Sequence, residues 1–261
     1  MDSLYPDIAA IVLAAGKGTR MKSSKAKVLH LLAGRPIIRY VIETALKVVG
    51  HNIVVVVGNE AEAVRKTVTK TADVLFAYQE VQLGTGHAVQ CALPSVPSNI
   101  KNVIILCGDV PLITEQTIKE LVDTHLNARN AITLLGVNID NPTGYGRLII
   151  DSNGEVQRIV EETDATKAEK AITTINSGIY CIHSEFLMSA INQLNSNNAQ
   201  NEIYLTDIIE VASNSGLSIG MMLVPEYTEL IGINTLDDLD RVEAVIEARG
   251  KSLDFGFSEI L

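Results

Sequence analysis

The chain has 261 residues, 47% apolar and 4% aromatic with no Trp, so its core must be built from Ile, Val, Leu and Ala, as one large α/β domain or one domain with a small appendage. Acidic residues outnumber basic ones 31 to 21, a formal net charge of -10, and most of this surface would repel a nucleic-acid duplex, although a local basic patch can hold one triphosphate. Cys91, Cys107 and Cys181 fit neither a zinc spacing nor a disulfide framework, and neither a signal peptide nor an apolar run of about eighteen residues is visible, so a cytoplasmic, reducing setting with no membrane partner is expected.

The apolar run Ile8–Leu13 reads as a buried strand. It stops at Ala14-Ala15-Gly16-Lys17-Gly18-Thr19-Arg20, and basic residues follow closely at Lys22, Lys25 and Lys27. A helical pattern opens at Pro36-Ile37-Ile38 and stops at Gly50. Ile53–Val57 reads as a strand, Ala61–Val68 as a helix and Val74–Tyr78 as a shorter strand. Gly84-Thr85-Gly86 precedes a helical stretch, Ala88–Leu93; Val103–Leu106 is a fourth strand ending at Cys107-Gly108-Asp109. Thr114 is a plausible cap for a helix to about His125. Four strand–helix repeats predict a parallel sheet, and right-handed crossovers place all four strand-end loops on one rim.

Beyond about residue 130 the pattern changes. Ala131–Val137 is a strand; Arg147–Ile150 and Val156–Val160 flank Asp151-Ser152-Asn153-Gly154, a hairpin signal. The charged run Glu161–Lys170 reads as a solvated, helix-poor segment. Gly178–Ile182 is a strand, Glu185–Leu194 and Leu205–Ala212 are helices, and Ile219–Leu223 is a strand. Asn234-Thr235 caps a last helix, Leu236–Ala248, and Lys251–Leu261 reads as a loose tail. The fold class is α/β: a Rossmann-like mixed, mainly parallel central sheet flanked by helices, with a nucleotide-binding half at about 1–130 and a substrate-binding half at about 131–235 sharing one sheet, then a C-terminal helix and tail at 236–261.

Four segments that fall at expected strand ends, Ala14–Lys27, Gln79–His87, Cys107–Pro111 and Gly232–Asn234, carry small, polar or charged residues. Open α/β sheets bind ligands on that rim. The first segment is a phosphate-handling loop or a glycine-rich turn beside a solvated basic surface. It is not a Walker A motif, since Gly16-Lys17-Gly18-Thr19 has the wrong spacing, and not a dinucleotide fingerprint, since Met21 stands where a third glycine belongs. Gln79 offers the paired donor and acceptor that a base edge needs, or belongs to a polar turn. Asp109, just past a buried strand, is costly unless paired or bound to a hard cation; a turn or capping role is the alternative. Asn234 is a neutral oxygen ligand, a helix cap, or both. Glu161 and Asn176 are candidates for sugar hydroxyls. The five histidines have no ligand spacing, and Met188, Met221 and Met222 read as core.

Leu13–Met21, Lys27-Val28-Leu29-His30, Leu83–Ala88, Gly108–Leu112, Asn141–Arg147, Asn198-Ala199-Gln200 and Tyr204–Ile209 together resemble the sugar-phosphate nucleotidyltransferases, and within them the pyrophosphorylase domains of bifunctional bacterial N-acetylglucosamine-1-phosphate uridyltransferases. The resemblance covers about residues 8–250. It implies a nucleotide-diphospho-sugar transferase fold in which residues 1–235 form the nucleotidyltransferase domain and the second half binds sugar. It implies that UTP and N-acetylglucosamine 1-phosphate give UDP-N-acetylglucosamine and pyrophosphate with Mg²⁺. Leu13, Ala14, Ala15 and Gly16 would hold the nucleotide, with Gln79, Gly84 and Thr85 reading uracil. Arg20 and Lys27 would meet the phosphates, Asp109 and Asn234 the metal, and Gly146, Glu161 and Asn176 the amino-sugar. Three positions depart from the family: Ala26 where Pro is usual, Cys107 where Tyr is usual, and Ile231-Gly232-Ile233-Asn234 in place of Glu-Gly-Val-Asn. The acetyltransferase β-helix of such proteins is not among these residues, so acetyl transfer and the trimer it builds are not expected; the chain is either a stand-alone uridylyltransferase or a first domain, as a monomer or weak dimer.

Overall fold

In the first strand, neighbouring residues belong to opposite sides of the molecule. In β1 (Ile8–Ala14), Ile8, Ala10, Val12 and Ala14 enter one hydrophobic layer, and Ala9 and Ile11 the other. The period of two along a strand does this wherever both faces are covered, and it is why the run shows no polar alternation. The computed structural model, which describes residues 3–255, continues the scheme in β4 (Ile53–Val57), β5 (Leu75–Tyr78) and β6 (Asn102–Cys107). β1 pairs in parallel with β4 on one side and β6 on the other, and β5 lies beyond β4.

Helices α1 (Ile37–Val49), α2 (Ala61–Thr69) and α4 (Glu115–Ala128) cover one face. α1 does so with Ile38, Val41, Ile42, Ala45 and Val48, an i, i+3, i+4 stripe, and stops at Gly50. α4 starts where expected: the Thr114 hydroxyl accepts the Thr117 N–H at 3.1 Å. α3 (Thr85–Ala92), α6 (Ser184–Ala190) and α7 (Ile208–Asn214) cover the other face. A two-residue hairpin, β2 (Leu31–Leu32) and β3 (Arg35–Pro36), precedes α1.

The second half joins the same sheet. Its strands are β7 (Ile132–Asn138), β8 (Arg147–Ile150), β9 (Val156–Val160), β10 (Thr174–His183) and β11 (Ile219–Leu223). The order is β11-β7-β10-β6-β1-β4-β5, with the β8–β9 hairpin attached to β10. β10 runs antiparallel to both β6 and β7; the other strands of that path share one direction. The carboxyl ends of β1, β5 and β6 and the amino end of β10 therefore meet on one rim.

Some expectations need correction. Glu161–Lys170 is not simply solvated and helix-poor: it holds the short helix α5 (Lys167–Lys170), closed by a Thr166–Glu169 capping box, and Glu161 is half-buried. Gly232–Asn234 is not at a strand end; it follows a 3₁₀ turn, Tyr227–Leu230, and reaches the rim because the Ile233 N–H donates to the Asp109 carbonyl at 2.9 Å. The last helix, α8 (Leu236–Phe255), runs through the first part of the expected tail; 256–261 lie outside the described residues. Met188 is exposed rather than core. Among the described residues no helix is long and apolar enough to cross a membrane.

Candidate active site

Past β1 the chain doubles back tightly. Gly18 has φ of +61°, and a Cβ there would lie 2.7 Å from the Lys27 Cβ, so the loop closes only over glycine. This brings the Lys27 ammonium onto the Asp109 carboxylate, with which it pairs, and onto Asn234 Oδ1 at 2.8 Å. Arg20 Nη2 donates to the same Asn234 oxygen at 2.9 Å. The cap of α8 is supplied by the neighbour of Asn234. Thr235 Oγ1 accepts the Asp238 N–H at 3.1 Å, and the Asp238 carboxylate accepts the Thr235 N–H at 2.9 Å, so Thr235 caps α8 and the Asn234 side chain is left for the cluster.

Two hard oxygen donors, from Asp109 and Asn234, thus converge on a point already holding positive charge. Among the described residues there is no group of three or more His, Cys, Asp or Glu arranged for a metal. A cation here would take few protein ligands and complete its shell from phosphate or water oxygens, which suits Mg²⁺ better than a closed structural metal. The donor set fits. Burial first, then the Asp109 charge, push the Cys107 thiol up to about 12, against a smaller opposing effect of Lys27.

A second group forms after β5. Gln79 is buried, with Nε2 donating to the Gly84 carbonyl at 2.9 Å and its backbone carbonyl accepting from Gln82 Nε2 at 3.0 Å. Gly84, at φ +110°, packs so close that a Cβ would stand 2.5 Å from the Ile203 carbonyl oxygen. The Gly86 N–H donates to that oxygen at 2.8 Å, and Thr85 Oγ1 accepts the Leu205 N–H at 3.0 Å. The 79–87 loop is therefore stapled to the segment before α7. Between the two groups lies a cleft of ≈ 460 Å³ whose walls include Leu13, Ala14, Ala15, Gly16, Lys27, Gln79, Gly84, Thr85 and Asp109. Arg20 and Asn234 adjoin it through Lys27.

Gly146, Glu161 and Asn176 also come together, but not on the wall of that cleft. The Asn176 N–H donates to the Gly146 carbonyl at 2.9 Å, and a Cβ on Gly146 would lie 3.4 Å from the Glu161 carboxylate. Glu161 accepts from the Thr206 hydroxyl at 3.1 Å; burial raises its pKa above the usual carboxylate range, and this bond opposes the rise. Asn176 Nδ2 donates to the Tyr180 hydroxyl at 2.7 Å. Cys107 links the groups: it lines the cleft, and its thiol donates to the Gly178 carbonyl at 3.5 Å.

Two contacts were not readable from the sequence. The buried Ala26 N–H donates to the carboxylate of Glu60, whose own backbone is left-handed at φ 50°. His87 takes a hydrogen from Gln79 at 3.1 Å. Neither pair has a spacing that marks it; the fold alone brings Ala26 and Glu60 together across 34 residues.

Residues 9–227 match the nucleotidyl transferase family. The chain is 48% identical over 243 residues to the bifunctional protein GlmU of Geotalea uraniireducens, covering 93% of this chain and 53% of that protein. It is 44% identical to the bifunctional protein GlmU of Pelobacter propionicus over the same shares, and 41% identical to that of Desulfotalea psychrophila, covering 93% of this chain and 71% of the relative. The chain spans about half the length of the first two.

Proposed function

The chain belongs to the nucleotidyl transferase family, and on that premise we propose that it transfers the uridylyl group of UTP to N-acetylglucosamine 1-phosphate, releasing pyrophosphate and UDP-N-acetylglucosamine. The observation that carries the reading is the convergence of Lys27, Asp109, Asn234 and Arg20 beside a cleft whose far wall presents the Gln79 amide. One end offers charge for a triphosphate and the other an amide oxygen that can accept from a base edge.

The sugar phosphate is already ionised at neutral pH, so in-line attack of its oxygen on the α-phosphorus needs no general base. The obstacle is bringing two anions together. Lys27 and Arg20 offset charge on the transferred and leaving phosphates, and the small residues Ala14 to Gly16 let backbone N–H groups approach them. Asp109 and Asn234 would hold Mg²⁺, which when bound supplies Lewis-acid neutralisation of the phosphate oxygens. Glu161 and Asn176 orient the amino-sugar with the Gly146 backbone.

Pyrophosphate release from UTP and N-acetylglucosamine 1-phosphate, with and without Mg²⁺, tests this directly. Release that needs both substrates and the cation is the expected result. Equal rates with glucose 1-phosphate would remove the amino-sugar assignment, and no release with any hexose 1-phosphate would remove the reaction.

A further inference from the structure

The Gln79 amide has both of its N–H bonds committed within the protein. Its Nε2 lies 2.9 Å from the Gly84 carbonyl oxygen and 3.1 Å from His87 Nδ1. A backbone carbonyl can only accept, so the nitrogen end of the amide has to face Gly84. The second amide proton goes to the His87 ring, whose Nδ1 must then be an unprotonated acceptor. The ring proton is left on Nε2, which faces the Cys91 sulfur at 3.7 Å. These assignments leave Oε1 as the amide atom available to a ligand, in a side chain that is 3% exposed and lines the cleft.

We infer that His87 is a positioning residue for base selection: by taking the second proton of the Gln79 amide, it locks that side chain with its oxygen presented to the base. The cleft then accepts a hydrogen bond from a pyrimidine ring N–H, which uracil and thymine carry. It opposes a pyrimidine whose ring nitrogen is itself an acceptor, as in cytosine. A flipped amide would set its oxygen against both the Gly84 carbonyl and the His87 lone pair, two acceptor–acceptor contacts; without His87 one remains. The inference rests on the proposed uridylyl donor and deepens it. It concerns His87, which acts through Gln79 and need not touch the nucleotide.

The test compares kcat/KM for UTP and CTP in the native enzyme, in His87→Phe, which keeps a ring but no acceptor, and in His87→Asn, whose amide oxygen can stand near the Nδ1 position. His87→Phe should lower the UTP-to-CTP ratio about fivefold, the worth of one neutral hydrogen bond, and His87→Asn should hold it near the native value. NMR of isotope-labelled histidine in the native protein should give the Nε2–H tautomer for His87. A His87→Phe enzyme that loses activity with both nucleotides in equal proportion would mean that the ring only packs α3, and the inference fails; an Nδ1–H tautomer in the native protein overturns it without any variant. A native enzyme with no preference for UTP over CTP overturns the uridylyl reading itself.

Discussion

Lys27 is held from three directions: by the close approach of Gly18, by the pair with Asp109 and by the bond to Asn234. Each contact predicts its own defect. Asp109→Asn keeps the shape but removes the charge that pairs with Lys27 and that the proposed Mg²⁺ would use, and turnover should fall about a hundredfold; an enzyme with native turnover at saturating Mg²⁺ would end the proposed metal role of Asp109. The fourth support comes from behind. Glu60 accepts the Ala26 N–H immediately before Lys27, and Ala26 already sits at φ −55°, a value proline favours. Glu60→Ala should lower kcat about fivefold by loosening the Lys27 turn, and Ala26→Pro in the same chain should restore most of it by fixing the backbone covalently; a double variant no better than Glu60→Ala would show that the tether does not position Lys27. Asp109 was legible in the sequence because a carboxylate just past a buried strand is expensive without a partner. Asn234 was ambiguous until Thr235 proved to be the cap. Glu60 was invisible, because its role depends on a left-handed backbone that glutamate does not advertise.

The strands were the most readable elements, since their apolar runs follow from burial on both faces, and β1, β4 and β6 lie close to the expected spans. The charged segment after β9 was the least readable. Its capping signature, Thr166-Lys167-Ala168-Glu169, is a recognisable S/T-x-x-E pattern, but a four-residue helix has no room for the apolar periodicity that would set it apart from a solvated loop. That segment is anchored by a buried charge. The Arg147 side chain is 1% exposed, pairs with Glu162 at 2.7 Å and donates to the Tyr145 carbonyl, while the Glu162 carboxylate also accepts the Gly144 N–H at 3.2 Å. Removing the acid would strand a buried guanidinium, so Glu162→Ala should cost about 3 kcal/mol, readable as a lower urea midpoint with an unchanged slope. A loss within the error of the midpoint would mean that the Tyr145 and Lys170 carbonyls suffice for Arg147.

At the scale of the whole molecule, the rim opposite the cleft carries a buried polar knot. His125 Nδ1 lies 3.0 Å from Thr133 Oγ1 and Nε2 lies 3.1 Å from Asn102 Oδ1, joining α4 to the starts of β7 and β6. Burial, with His183 nearby, lowers the His125 pKa to about 4 from its ordinary 6.5. Between those values the unfolded chain binds more protons than the folded one, so this stabilising contribution is fully present above pH 6.5 and is lost as pH falls toward 4. Asp207 acts in the opposite sense: burial, then Glu210 and Asp164, raise it to about 6, and its cost at neutral pH is relieved on acidification. The difference between native and His125→Gln isolates the histidine: the native melting temperature should fall more steeply from pH 7 to pH 5 than that of the variant, and parallel slopes would refute the assignment.

β10 is bonded to β6 along one edge and to β7 along the other. The two halves of the chain are consequently joined through β10 on both of its edges, and they cannot part as two jaws about a hinge without tearing main-chain bonds on both flanks of one strand. Traffic in and out of the cleft is left to the short connections along its lip, such as the turn between Gly18 and Lys27.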